Sequence, residues 1–196
     1  YEPGRAMGTF GEQCADKYQF TREAQDAFAT ASVQRARAAI ASGAFQAEIT
    51  PVTVKGRSGD SVIATDEGPG KVELEKMSAL RPAFKKDGTI TAASSSSIND
   101  GAAALVLTRA STAKTLGAEP IARIVGHATF AQAPEWFTTA PVGAVQKLLK
   151  KIGWQVADVD LWEINEAFAV VPMAAMQELG ISHDIVNVNG GACALG

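Results

Sequence analysis

The amino-acid sequence predicts a protein of the α/β class, and three features lead to that class. A buried strand at 159–164, an apolar helix at 165–180 and a second strand at 185–189 follow one another within about 30 residues. Two strands joined by one helix predict a right-handed βαβ unit with parallel strands. Helical spacing of apolar residues at 141–153 and at 22–42 supplies further helices to cover such a sheet.

The first two helices are predicted from the residues at their boundaries. Thr9, with a glutamate three residues later, is a capping-box pattern that predicts a short helix from there to about residue 18. Thr21 is the expected N-cap of the helix at 22–42, and Gly43 is its expected stop. We expect Arg35 and Arg37 to lie on the solvated side of that longer helix.

The sequence of the middle of the chain, residues 49–107, predicts irregular structure followed by a buried strand. Short β-prone pieces at 49–54, 61–65 and 89–92 are separated by glycines, which is typical of a loop-rich excursion more than of a sheet core. Four consecutive serines at 94–97 precede a continuous apolar run at 102–107, which predicts a buried strand. The serines suit either a flexible linker or a turn that presents hydroxyls and backbone NH groups, and we favour the turn.

From residue 120 the pattern becomes regular. Residues 121–127 predict a strand, and the helix at 141–153 has Pro141 in its first turn and Gly153 as its stop. Pro172 falls within the next helical pattern, so that helix either begins late or bends at the proline.

Composition limits the classes of partner. The chain has 196 residues, 46% of them hydrophobic and 20% charged, with a formal charge of −3, which gives no general attraction to nucleic acid or anionic membranes. No apolar run is long enough to span a bilayer, and no signal peptide is recognised. Because Tyr1 is not a methionine, we expect that the start has been cut or withheld.

Cysteines and histidines indicate structure more than chemistry. Cys14 falls on the apolar face of a predicted helix and Cys193 lies inside a glycine-rich turn, so we expect both thiols to be buried and inert. Two distant cysteines predict neither a disulfide framework nor a metal site, and a reducing, cytoplasmic location follows as the expectation. His127 and His183 belong to no motif, and we expect them to be structural or on the surface.

Asn165 is the strongest candidate for chemistry on local pattern. It follows a buried strand directly and precedes a helix, at the edge where parallel α/β sheets assemble sites. It is equally suited to be the N-cap of that helix. A nucleotide site is not indicated, because no glycine-rich phosphate loop follows a first strand.

Three motifs together resemble the thiolase family. They are NEAFA at 165–169, SSSINDGAAALVL at 95–107 and VNVNGGACALG at 186–196, and LRPAF at 80–84 and TREAQDAFATASVQRA at 21–36 agree with them. The resemblance runs in order through essentially all of the chain. It implies a layered αβαβα thiolase fold, of which this chain resembles the middle portion.

The resemblance also divides the chain. Residues 1–98 resemble most of the loop domain that covers coenzyme A, 99–119 the end of the N-terminal half, and 120–196 the first part of the C-terminal half. A homodimer or homotetramer is implied for the parent protein, with no membrane or nucleic-acid partner.

The implied reaction is a reversible Claisen condensation of two acetyl-CoA to acetoacetyl-CoA and CoA, as part of lipid metabolism. Coenzyme A is then a substrate, and neither a cofactor nor a metal is required. The family's nucleophilic cysteine, activating histidine and second cysteine are expected outside these residues, so the chain alone is expected to be inactive. The alternatives are a longer-chain 3-ketoacyl-CoA thiolase of β-oxidation and a non-catalytic CoA-binding or interaction module.

The resemblance assigns roles to particular residues. Asn165 would hold a water in an oxyanion hole, and Ser96 would contact the pantetheine arm. Seven further positions match residues of the substrate pocket: Met7, Phe84, Ala92, Ile98, Phe137, Ala167 and Phe168. Three positions depart from the family pattern: Ala6 replaces a histidine found in some bacterial members, Lys71 an arginine near the adenine, and Ser97 a common glycine.

Overall fold

The computed structural model describes residues 5–196, so the first four residues of the predicted 1–98 region lie outside it. Helix α1 spans Met7–Tyr18 and is capped by the backbone of Ala6. The predicted capping box at Thr9 is wrong, because the Thr9 hydroxyl lies inside the first turn and donates to the carbonyl of Ala6 at 2.8 Å. Glu12 is buried instead, and its carboxylate accepts the backbone NH groups of Thr89 and Ile90, which are distant in sequence.

Helix α2, Arg22–Ser42, has the predicted boundaries. The Thr21 hydroxyl accepts the NH of Ala24 at 3.2 Å, and Gly43 ends the helix with a φ of 70°. The expected solvation of its arginines is wrong. Arg35 is half-buried and donates to the carbonyls of His183 and Val186, while Arg37 donates to two carbonyls in the 69–72 segment.

The loop-rich segment contains one small antiparallel sheet. Strands β1, Val52–Val54, and β2, Ser61–Ile63, pair with Thr53 opposite Val62, which confirms two of the three β-prone pieces in shorter form. Helix α3, Glu67–Lys71, and a 3₁₀ helix at Leu74–Ala79 follow. The third predicted piece, 89–92, is wrong as a strand, because its residues enter a turn closed by side-chain hydrogen bonds.

The two predicted strands that flank α4, Ala110–Thr115, are absent from the part of the chain that the structure describes. Residues 102–107 and 121–127 form no ladder, and Leu105 is 87% exposed. A strand is stabilised by neighbouring strands, and no described residue pairs with either segment. The apolar pattern was therefore insufficient to make these segments strands.

The second half of the chain has the predicted helices. After a 3₁₀ helix at Pro134–Thr139, α5 spans Ala140–Ile152 and ends at Gly153 with a φ of 75°. Helix α6 spans Val170–Leu179 and begins after Ala169, so Pro172 lies in its first turn. Of the two possibilities for this proline, the late start of the helix is confirmed.

The βαβ unit is present in reduced form. Trp162 and Val186 form a parallel bridge, in which the Trp162 NH donates to Ile185 and its carbonyl accepts the NH of Asn187, both at 2.8 Å. Helix α6 lies between the two bridged segments in sequence. The parallel orientation of the two segments is therefore confirmed. The predicted strands at 159–164 and 185–189 are reduced to a single bridge, because the second segment is extended only briefly. A 3₁₀ turn at His183–Ile185 lies directly before Val186, and Asn187 directly after it has a positive φ.

The core lies between α1, α5 and α6 and the bridged segments. Its largest buried side chains include Ile90, Trp162, Ile164, Phe168, Val170 and Val186. The short helix α7, Ala192–Leu195, packs against α2, where Cys193 and Ala194 join two smaller apolar clusters that include residues of α2. Within residues 5–196, no helix is both long and apolar enough to cross a membrane.

Candidate functional site

Asn165 lies at the junction between the bridged segment and α6. Burial alternates here, with Ile164 and Glu166 buried and Asn165 exposed between them. The N-cap of α6 is Ala169, and no side chain caps that helix, so the interpretation of Asn165 as a helix cap is wrong. Its carboxamide makes no hydrogen bond with any residue that the structure describes, and it is therefore available to a water or a substrate.

Four aromatic rings form a wall behind this junction. Phe168 contacts Phe84 edge-on with ring centroids 5.7 Å apart, and Phe137 at 6.3 Å; Phe137 also meets Phe10 at 6.5 Å. Helix α1 approaches these rings through Gly8, where a Cβ atom would overlap the Phe84 ring. Three predicted pocket residues, Phe84, Phe137 and Phe168, are thus brought together.

The serine segment runs beside the same junction. The Ser96 NH donates to Ala167 at 3.1 Å, and the Ala169 NH donates to Ser94 at 2.9 Å, on either side of a bridge between Ser95 and Phe168. The hydroxyl of Ser95 donates to the carbonyl of Thr91 at 2.6 Å. Ser94 and Ser95 are buried, so the segment is a turn, as favoured from the sequence, and not a flexible linker.

The other predicted binding residues are less closely gathered. Met7 is half-exposed in the first turn of α1, next to Gly8, whereas Ala92 and Ile98 are exposed to solvent. Lys71 is also exposed and forms an ion pair with Glu67 at 3.2 Å on the same helical turn. The structure therefore groups Ser96, Ala167 and the three aromatic residues, and leaves these positions at the periphery.

Glu166 is the centre of a buried polar network. One carboxylate oxygen accepts the Ser32 hydroxyl at 2.7 Å and the backbone NH of Cys193 at 2.9 Å. The other accepts the amide of Asn187 at 2.8 Å. Three donors compensate the desolvation of this carboxylate, which is completely buried.

The glycine-rich turn is shaped by that network. Gly190 has a φ of 84°, and a Cβ atom there would lie 2.6 Å from the Ser32 carbonyl oxygen. A Cβ atom on Gly191 would lie 2.5 Å from the Glu166 carboxyl carbon. Both glycines are therefore required for the turn to approach α2 and Glu166 this closely.

Neither cysteine is placed as a nucleophile. Burial raises the pKa of the Cys14 thiol, which lies 4.0 Å from the carbonyl of Val170. Burial, together with the negative charge of Glu166, raises the pKa of the Cys193 thiol well above its usual range. A thiol is nucleophilic as its thiolate, so both environments oppose reactivity, in agreement with the sequence interpretation.

The histidines also follow the sequence interpretation. His127 is exposed, and His183 is half-buried and stacked on Phe28 with centroids 4.6 Å apart. Burial and the nearby Arg35 lower the pKa of His183. Among residues 5–196, no group of three or more histidine, cysteine or acidic residues is arranged to hold a metal ion.

Sequence reasoning missed Glu166, Ser32 and Asn187 as functional candidates. Glu166 carried a usable signal, because the two-residue alternation of an extended segment places it on the same side as Trp162 and Ile164, which is the buried side. Ser32 on α2 carried none, since an isolated serine within a helix is common. Asn187 could have been suspected from its place in the second bridged strand.

Comparisons with known proteins identify the family of this chain. Residues 2–111 match the family model for the thiolase N-terminal domain, and residues 118–196 match the model for the thiolase C-terminal domain. A probable acetyl-CoA acetyltransferase of Dictyostelium discoideum is 50% identical over 194 residues, covering 98% of this chain and 47% of that protein. An acetyl-CoA acetyltransferase of Thiocystis violacea is 50% identical over 192 residues and is covered to 49%.

Solved structures show the same relationship. The acetyl-CoA acetyltransferase of Bacillus anthracis superposes with a TM-score of 0.94 at 42% identity, covering 98% of this chain and 49% of that one. The Acat5 thiolase of Ascaris suum, solved in complex with coenzyme A, gives 0.91 at 43% identity, with coverage of 98% and 49%. Human mitochondrial 3-ketoacyl-CoA thiolase gives 0.92 at 39% identity, with coverage of 97% and 48%.

The chain spans about half the length of the curated relatives it matches. Over that half, the superpositions confirm the predicted thiolase fold, even though its parallel pairing is reduced to a single bridge among the described residues. Two family models that together cover nearly the whole sequence lead to one conclusion: this chain belongs to the thiolase family.

Proposed function

We propose that this chain is part of an acyltransferase that reversibly condenses two acetyl-CoA to acetoacetyl-CoA and CoA. The observation that carries the proposal is the exposed Asn165 carboxamide, which caps no helix and has no partner in the described residues. The printed names of the Dictyostelium discoideum and Thiocystis violacea relatives support the acetyl-CoA reaction. The Ascaris suum complex supports coenzyme A as the ligand.

In the proposed reaction, a cysteine thiolate supplied from outside these residues attacks the thioester carbonyl of one acetyl-CoA. The carbon–sulfur bond to CoA breaks, and the CoA thiolate leaves and takes up a proton. A base, also supplied from outside these residues, takes a proton from C2 of the second acetyl-CoA. The resulting carbanion attacks the acyl-enzyme carbonyl, the carbon–sulfur bond to the cysteine breaks, and acetoacetyl-CoA and the cysteine thiolate are released. Each attack places negative charge on a thioester oxygen, which requires a fixed hydrogen-bond donor.

Asn165 is proposed to supply that donor through a water. Its carboxamide projects to the exposed side of the junction, while Ile164 and Glu166 anchor the backbone on the buried side. A water held by such an anchored amide is oriented before the reaction begins, so little reorganisation is needed when the charge develops.

The acyl and pantetheine moieties are proposed to pack beside the same junction. Phe84, Phe137 and Phe168 form an apolar wall, and Ser96 is held against Ala167 by a backbone hydrogen bond of 3.1 Å. Met7, Ala92 and Ile98 are proposed to complete the pocket from the periphery. All three are exposed in the structure, and a bound CoA would cover them.

Neither thiol of this chain is proposed to act as nucleophile, because both are buried with raised pKa values. The 196-residue chain alone is therefore proposed to be inactive. No cofactor or metal is required for the proposed reaction. Two free cysteines are consistent with a reducing, cytoplasmic location, and a homodimer or homotetramer in lipid metabolism is proposed for the complete enzyme.

A longer-chain 3-ketoacyl-CoA thiolase is the second candidate. It is favoured by the TM-score of 0.92 with the human mitochondrial 3-ketoacyl-CoA thiolase, which is close to the value for the Bacillus anthracis enzyme. The fold therefore does not separate the two substrates, and the identity of the curated relatives favours the shorter one.

The test is thiolysis by the full-length protein. Acetoacetyl-CoA and 3-ketoacyl-CoA substrates of increasing chain length are incubated with free CoA, and kcat/KM is measured for each. The proposal expects the highest kcat/KM for acetoacetyl-CoA. A maximum at longer chains would select the second candidate, and CoA binding without turnover of any substrate would select a non-catalytic module.

A further inference from the structure

We infer that Glu166 is a positioning residue, whose carboxylate couples the segment that carries Asn165 to the glycine-rich turn at 190–193. The hydrogen bonds of Glu166 are observed in the structure and do not depend on the proposed function. Their consequence for turnover rests on the proposed function, in which Asn165 stabilises the developing oxyanion.

The first half of the coupling fixes the backbone around Asn165. Asn187 holds the neighbouring Ile164 from both sides, since its side-chain oxygen accepts the Ile164 NH and its amide donates to the Ile164 carbonyl, each at 2.8 Å. The same amide donates to Glu166 at 2.8 Å. Residues 164 and 166 are therefore held on the buried side, which fixes the direction in which Asn165 projects to the other side.

The second half of the coupling reaches the glycine-rich turn by two routes. The Cys193 NH donates directly to the Glu166 carboxylate at 2.9 Å. The Gly191 NH donates to the Ser32 hydroxyl at 3.0 Å, and that hydroxyl donates to the same carboxylate oxygen at 2.7 Å. Turn, helix α2 and the Asn165 segment thus meet at one carboxylate.

The network requires a carboxylate and not merely a polar side chain of that size. Ser32, Asn187 and Cys193 all donate to Glu166, and the Asn187 amide is locked by its two bonds to Ile164. In Glu166→Gln, the new NH₂ group must face either the Asn187 amide or the Cys193 NH. Each orientation places two donors together and leaves a buried donor without its acceptor.

A purely structural role would lower stability and leave turnover intact at temperatures where the protein is folded. A positioning role predicts in addition a fall in kcat, with KM for CoA nearly unchanged. Most of the proposed CoA contacts lie on other segments, and Ala167 and Phe168, which follow Glu166, are held separately by the backbone pairing with the serine segment. Small displacements of a group aligned with the reacting atoms cost rate steeply, so we expect a decrease in kcat on the order of 10-fold.

The experiment compares three variants of the full-length protein. Glu166→Gln removes the carboxylate, and Ser32→Ala removes only the Gly191 route while placing a good helix former in α2. Arg22→Gln is the matched control, because Arg22 is also a half-buried arginine of α2 that holds two backbone carbonyls, those of Met77 and Ser78. Among the described residues it makes no hydrogen bond with Glu166, Asn187 or the glycine-rich turn. For each variant, kcat, KM and the melting temperature are measured, together with amide exchange at 190–193.

We expect Glu166→Gln to lower kcat about 10-fold with KM within about twofold, and to accelerate exchange of the Cys193 amide beyond that in Arg22→Gln. Normal kcat and control-like exchange would overturn the inference. If Glu166→Gln does not fold, Ser32→Ala tests the inference in its place. A lowered kcat with faster exchange of the Gly191 amide would support the coupling, and normal kcat with control-like exchange would overturn it. If the wild type has no thiolase activity, the proposed function fails, and the exchange data alone still support or overturn the coupling.

Discussion

Replacing Asn165 with alanine separates catalysis from stability in a single variant. Asn165 makes no hydrogen bond with the described residues, and the N-cap of α6 is Ala169. Its removal should therefore change the free energy of unfolding by less than about 0.5 kcal/mol, as is usual for exposed side chains. A true cap would cost about 1 kcal/mol.

The expected cost to catalysis is much larger. Removing one oxyanion donor typically lowers turnover by a factor of 10² to 10³. Because the proposed contact runs through a water, which other groups can partly hold, we expect the lower end, a decrease of about 100-fold or about 2.7 kcal/mol in activation free energy.

The assay is thiolysis of acetoacetyl-CoA at saturating substrate with the full-length protein, alongside a thermal melt. Leu161→Ala is the control, because Leu161 is also exposed on the segment that leads to Asn165 and has no proposed role. Turnover of Asn165→Ala within threefold of the control, with a lowered melting temperature, would refute the catalytic role.

Three further predictions concern the activity of the chain alone, the reactivity of its two thiols and the glycine-rich turn. The 196-residue chain incubated with acetoacetyl-CoA and CoA should show no turnover above a heat-killed sample, and measurable turnover would mean that these residues contain the chemistry. An alkylating thioester analogue should label the full-length protein outside Cys14 and Cys193, whose burial raises their pKa values, and mass mapping that found Cys193 labelled first would contradict that view. Gly190→Ala should destabilise the fold by at least about 1 kcal/mol in chemical denaturation, because its φ is 84° and Ser32 and Ala36 crowd the position; an unchanged midpoint would contradict that account.

Helix boundaries could be predicted from the sequence where the deciding contact is local. Thr21 caps α2 with a hydrogen bond to a residue three positions later, and Gly43 and Gly153 end their helices with positive φ values. The capping box at Thr9 failed for the opposite reason. Its glutamate is bound by Thr89 and Ile90, contacts that no local pattern contains.

The site was predicted in part. The exposed position of Asn165 and the aromatic wall agree with the residues chosen from motifs, although their catalytic and binding roles remain predictions. Glu166 was missed because its three donors, on Ser32, Asn187 and Cys193, come from widely separated parts of the chain. In this chain, the acidic residue between the buried strand and the apolar helix is the centre of a network and not a solvated neighbour of Asn165.

The two missing strands show what an apolar pattern measures. Residues 102–107 and 121–127 have the apolar pattern from which strands were predicted, and burying one valine or leucine side chain contributes about 1.5–3 kcal/mol. The ladder hydrogen bonds require neighbouring strands, and no described residue pairs with either segment. Helix α5 lies against residues 124–126, but one helix on one face does not supply the backbone partners that a strand needs. Helix α5, by contrast, satisfies its backbone internally and needs a partner for one face only, which it finds in α6. The same apolar signal therefore predicted α5 correctly and failed for the strands, because hydrogen bonding within a helix is local and pairing between strands is not.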